Sequence, residues 1–135
     1  ETIEVGLIDF QWMGWGLAST DVAHHLCASV SAECLEGEGE RKLLDWYHTH
    51  LMAALVEYGV AQDQEAASSL LSRQQLRDQV GSAILDMGRL VLAYQFSRAN
   101  FGKEALNRNA YNKDLRSAVW LVARVDALLK GAHTH

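Results

Sequence analysis

The chain has 135 residues and a mass of 15.0 kDa, room for one ordinary domain. At 49% hydrophobic and 21% charged it has the composition of a folded chain, and that length can bury a core without staples. A net charge of -5 and a pI near 5.6 argue against nucleic acid as the main partner, and no apolar run is long enough to span a membrane. Cys27 and Cys34 are too few for a disulfide scaffold or a complete zinc site, and no signal peptide opens the sequence. A soluble, cytoplasmic protein is the default expectation.

Two features of the composition say more. The chain contains no proline, which fits long helices. Its charge is unevenly divided. Residues 1–72 carry twelve acids against two bases, Arg41 and Lys42, whereas residues 73–135 carry five acids against ten bases. That division predicts an acidic layer packed beside a basic one. An acidic surface for a cationic ligand is the sharper alternative.

In chain order, residues 3–13 read as a short strand or hairpin. Ile3, Val5 and Leu7 alternate onto one face, and Phe10 to Met13 can return as a second strand. The opening reads as a piece of a larger sheet. The remainder, residues 19–131, reads as helices. Thr20 or Ser19 should cap a helix from Asp21, with Val22, Ala23, Leu26 and Val30 inward. An exposed acidic loop is expected over Glu33–Glu40. A long helix should then run to Tyr58 and stop at Gly59, facing inward with Leu44, Tyr47, Leu51, Ala54, Leu55 and Tyr58. A short helix near Gln64–Leu71 follows. Ser72 with Gln75 makes a capping box opening a helix to about Phe101, with Leu76, Val80, Ala83, Met87, Val91 and Tyr94 in the core. Asn112 should cap the last helix, with Leu115, Val119, Val122, Val125 and Leu129 inward and Gly131 at its end. The expected fold class is therefore mainly α, a short N-terminal strand or hairpin followed by a helical cluster spanning 1–135.

Chemistry concentrates in Leu7-Ile8-Asp9-Phe10-Gln11. An acid at the carboxyl end of an apolar strand sits where strand-based folds expose ligand sites, and one carboxylate suits Mg²⁺ shared with phosphate oxygens and water. Other motifs favour plainer readings. Gly14-Trp15-Gly16-Leu17-Ala18-Ser19 falls short of a dinucleotide fingerprint because Ser19 stands at the third glycine. His24 and His25 point about 100° apart on a helix, and His48 and His50 about 200°, so neither pair is suited to chelation. Trp12, Trp15, Trp46 and Trp120 read as core or interface anchors.

The run Leu7 to Gln11, continued by Gly14-Trp15-Gly16-Leu17-Ala18-Ser19-Thr20-Asp21-Val22-Ala23, resembles the ecdysteroid-kinase-like (CHK-kinase-like) small-molecule kinases, related to the aminoglycoside and choline kinases. Members carry a hydrophobic-Asp-Phe/Trp-Gln segment, a short glycine-bearing loop and an Asp-Leu-Ala helix start. The resemblance is specific over residues 5–26 and compatible only in pattern from 27 to 135. It implies the C-terminal lobe portion of a protein-kinase-like fold that transfers the ATP γ-phosphoryl group to a hydroxyl of a small organic molecule. Asp9 matches the metal-binding Asp that holds Mg²⁺ against the nucleotide phosphates. Gln11 would orient this loop, and Asp21 matches a buried Asp that braces the catalytic loop. The family's His-Gly-Asp loop with the base, its phosphate-covering hairpin and its nucleotide-binding Lys have no counterpart here. The resemblance places them upstream, in a missing N-terminal lobe, so these 135 residues alone should be inactive. Residues 40–58 and 73–101 would be the substrate wall. Removal of that lobe should leave the strand edge open to self-association. The alternative function is a non-catalytic helical interaction module that uses exposed tryptophans.

Overall fold

A computed structural model describes Gly6, residues 13–91, Ala93 and residues 115–132. Of the strand or hairpin expected over 3–13, Gly6 and Met13 are described and neither is in a strand, and the other residues lie outside the described set. Among the described residues all regular structure is helical, in six helices: α1 (Ala18–Ala28), α2 (Ala32–Leu35), α3 (Gly39–Glu57), α4 (Gln64–Leu70), α5 (Arg73–Leu90) and α6 (Leu115–Ala132). The mainly α class follows.

Helix boundaries trace to local chemistry. Asp63 Oδ1 accepts the Ala66 amide at 2.8 Å and opens α4. Ser72 and Gln75 form both halves of the capping box that opens α5, the Gln75 amide donating to Ser72 Oγ and the Ser72 amide to Gln75 Oε1. At the end of α3 the Val60 amide donates to the Leu55 carbonyl and the Gly59 amide to the Val56 carbonyl, a Schellman pair. Gly59 provides the left-handed residue this needs, with φ of 71°. The acidic loop expected at 33–40 is shorter than anticipated, because Ala32 and Leu35 are buried and fold its first residues into α2. Gly39 is fixed by close approach: a Cβ there would collide with the Cys34 carbonyl oxygen.

α1 begins one turn earlier than the cap signal suggests. Leu17 occupies the N-cap and makes no side-chain cap bond, while Ser19 lies inside the helix, buried. Ser19 therefore packs inward and does not cap.

The main core joins Ala23, Leu26 and Cys27 of α1, Leu35 of α2, Leu44 of α3, Leu76, Val80, Ile84 and Met87 of α5, and Leu121 of α6. α5 is the central element, packing on α1, α3 and α6. A smaller cluster of Met52, Ala61 and Ala67 sits between α3 and α4. Two inward faces differ from the expected stripes. On α3 the buried set is Leu44, His48 and Met52, with Tyr58 exposed. On α6 it is Ala118 and Leu121, with Val125 and Leu128 half-buried, while Leu115, Val119, Val122 and Leu129 face solvent.

The rotation of α6 has a cause on each flank. Toward α5, Gly81 and Gly88 let the helices approach so closely that an added Cβ would stand 3.0 Å from Leu128 Cδ2 and 2.6 Å from Val125 Cγ2. Toward α2 and α3, Arg116 pairs with Glu33 and Glu36, and Arg124 chelates Glu40 through two bonds of 2.8 and 2.9 Å. Together they turn one apolar stripe inward and leave the other out.

Candidate functional site

Asp9 and Gln11 lie outside the described residues. Asp21 does not: it stands in the first turn of α1, where the helix dipole favours an acid. It is exposed, not buried as the resemblance implies. The buried residue of this turn is Ser19, and two steps further along a helix point to the opposite side. Asp21 instead edges a groove of about 350 Å³ between α1 and α3. Val22, Leu26 and Leu44 line its apolar part, and Trp46 and Tyr47 of α3 supply aromatic surface. Burial pushes the Tyr47 phenol above its ordinary range, and the Asp21 carboxylate adds to the rise. Trp46 stacks on His50 with ring centroids 3.9 Å apart, and His50 Nδ1 donates to the Trp46 carbonyl at 2.8 Å.

The histidines separate as the helical angles require. His24, His25 and His50 are exposed, whereas His48 is buried with its Nε2 donating to the Leu71 carbonyl at 2.8 Å. That bond fixes the tautomer and leaves Nδ1 a buried, unpartnered acceptor. The sequence leaves His48 open between a packing and a surface role, and the structure places it in the core. Both cysteines are free. Burial, reinforced by the charge of Glu40, pushes the Cys27 thiol up to about 12, while Cys34 is exposed. Among the described residues, no three His, Cys, Asp or Glu side chains converge to hold a metal ion.

A second, charged cleft of about 530 Å³ lies where α2, α3, α5 and α6 meet, lined by Glu40, Arg41, Arg77, Trp120 and Arg124 among others. Each of its guanidinium groups holds a carboxylate, while Arg77 Nε stays buried without a partner. Asp45 accepts from Arg77 Nη2 at 2.6 Å and Arg41 Nη1 at 3.1 Å, and Arg73 lies 3.5 Å away. The Arg77 bond, with the neighbouring positive charges, holds the Asp45 carboxyl below its usual range. Acids of the first half of the chain thus meet arginines of the second half, as the charge division predicts. The groove beside Asp21 is the less committed of the two sites: its aromatic walls come from residues 25 positions along the chain, which a linear motif cannot reveal.

Compared with models of protein families, with curated proteins and with solved structures, the chain matches none. No helix among the described residues is long and apolar enough to cross a membrane.

Proposed function

We propose that this chain is the C-terminal helical part of an ATP-dependent, cytoplasmic phosphotransferase that phosphorylates a hydroxyl of a small organic molecule. The observation that carries the reading is the run from Leu7 to Ala23, an apolar-Asp-Phe-Gln segment, a glycine-bearing loop and an Asp-Val-Ala helix start. In support, Asp21 falls in the first turn of α1 and Ala23 is fully buried against α5 and its neighbours.

Asp21 is exposed, and no group of three His, Cys, Asp or Glu side chains gathers around it among the described residues. Asp9 is the residue proposed to hold Mg²⁺, with Gln11 orienting its loop. Bound Mg²⁺ would offset charge on the transferring phosphoryl group. The base Asp, the phosphate-covering hairpin and the nucleotide-binding Lys would come from chain preceding Leu7. α3 and α5, within residues 40–58 and 73–101, would wall the acceptor site.

Titration calorimetry tests this division of labour. The protein extended to include a preceding lobe should bind Mg²⁺-ATP, and residues 1–135 alone should bind it weakly or not at all. Micromolar binding by residues 1–135 alone would overturn the proposal. A second reading, a non-catalytic interaction module, is favoured by the exposure of Trp15 and Trp46. A start codon close to Glu1, in place of an upstream His-Gly-Asp loop, would decide for it.

A further inference from the structure

The groove between α1 and α3 joins an apolar bed to an uncommitted carboxylate. Val22 and Leu26 of α1 and Leu44 and Tyr47 of α3 line it, and Leu26 and Leu44 are buried at its base. Trp46 extends the aromatic surface and stays 62% exposed although His50 stacks on it. Asp21 is the acid that lines the groove among the described residues. Its carboxylate makes no hydrogen bond or ion pair with a described residue, and His25, one turn on, is not paired with it. No lysine or arginine lines the groove among the described residues, and the chain has neither before Arg41, itself held by Glu38 and Asp45. The acids of the charged cleft contrast with this. Arg116 holds Glu36, Arg124 holds Glu40 and Arg77 holds Asp45. The acidic half of the chain therefore leaves Asp21 unneutralised beside apolar surface.

We propose that this groove binds a small aromatic primary amine as its ammonium ion, the ring on Trp46 and Tyr47 and the charge on Asp21. A volume of about 350 Å³ suits a molecule of one or two rings. A primary ammonium donates three hydrogen bonds, and a carboxylate is its strongest acceptor. The Tyr47 phenol oxygen lies close enough to Asp21 to feel its charge and offers a second acceptor. The third N–H faces water. Because Asp21 is exposed, solvent screens the charge, so it selects the ligand more than it tightens binding. Apolar burial supplies most of the affinity, and a two-ring amine should bind at about 1 mM or tighter. The inference is independent of the phosphotransferase reading, since its test measures binding and not turnover.

Titration calorimetry with three probes of one shape tests it: naphthylethylamine, naphthylethanol and naphthylacetate. The ammonium should bind most tightly, the alcohol more weakly and the carboxylate most weakly. Asp21→Asn should weaken the amine by about threefold to tenfold, to near the alcohol, and leave the alcohol unchanged. Added salt should weaken the amine and not the alcohol. Trp46→Ala should weaken amine and alcohol alike, by about threefold or more. Both side chains are exposed, so far-UV circular dichroism should show unchanged helicity. No saturable binding of the amine up to about 10 mM, the result expected if another part of the chain fills the groove, overturns the proposal. So does equal affinity for the three probes, or an amine affinity indifferent to Asp21→Asn.

Discussion

Substituting Gly88 by alanine should destabilise the protein, and the structure gives the size of the effect. Glycine inside a helix ordinarily costs about 0.5–1 kcal/mol relative to alanine, so on propensity alone the change is favourable. At Gly88 the added Cβ would stand 2.6 Å from Val125 Cγ2 of α6, about an ångström inside comfortable carbon–carbon contact. Val125 is β-branched and cannot swing aside within its helix, so α5 and α6 must separate. Overpacking of this kind costs about 1–3 kcal/mol, leaving a net loss of about 0–2 kcal/mol. Gly81 is the internal control. Its added Cβ meets only the flexible tip of Leu128, at 3.0 Å, so Gly81→Ala should be neutral or gain up to about 1 kcal/mol. Urea denaturation of the two variants and of Gly88→Ala/Val125→Ala measures the difference. Gly81→Ala should be the more stable single variant, and in the Gly88→Ala background Val125→Ala should cost less than it does alone. Gly88→Ala more stable than Gly81→Ala would refute the close approach of α5 and α6.

Four further outcomes follow from the electrostatics. In the native protein a thiol reagent at neutral pH should modify Cys34 rapidly and Cys27 only after unfolding, because Cys27 is buried and its thiol is pushed up to about 12. The depressed Asp45 carboxyl contributes stability above the ordinary aspartate value of about 3.9, and that contribution is lost as pH falls through its lower folded value. Asp45→Asn should therefore lower stability at neutral pH and flatten the acid limb of a stability–pH curve. Asp21→Asn, at an exposed helix start, should cost only about 0.3–1 kcal/mol by thermal denaturation. The same change should shift Tyr47 ionisation to lower pH in an ultraviolet titration, since one cause of its rise is removed.

What could be read from the sequence was what short stretches decide for themselves. The Ser72–Gln75 box, the Asp63 turn and Gly59 after α3 all act within a few residues, so their signals are complete in the local sequence. The orientation of α6 was not readable in this way. Its sequence carries two apolar stripes, and the choice between them rests on Gly81 and Gly88 some forty residues earlier and on Glu33, Glu36 and Glu40 further back still. The choice between a packing and a surface role for His48 stayed open for the same reason, since its partner, the Leu71 carbonyl, lies 23 residues away. In the candidate site, the position of Asp21 at a helix start was readable. Its exposure, and the Trp46 and Tyr47 surface beside it, arise only when α1 meets α3.

Phosphoryl transfer by the intact protein, wild type against Asp9→Asn, tests the functional proposal most directly. An amide in place of the carboxylate binds Mg²⁺ poorly, so the substitution should leave folding intact and lower turnover of ATP with a hydroxylated acceptor by orders of magnitude. Unchanged turnover in a folded Asp9→Asn protein would remove Asp9 from the mechanism and, with it, the phosphotransferase reading of the segment from Leu7 to Gln11.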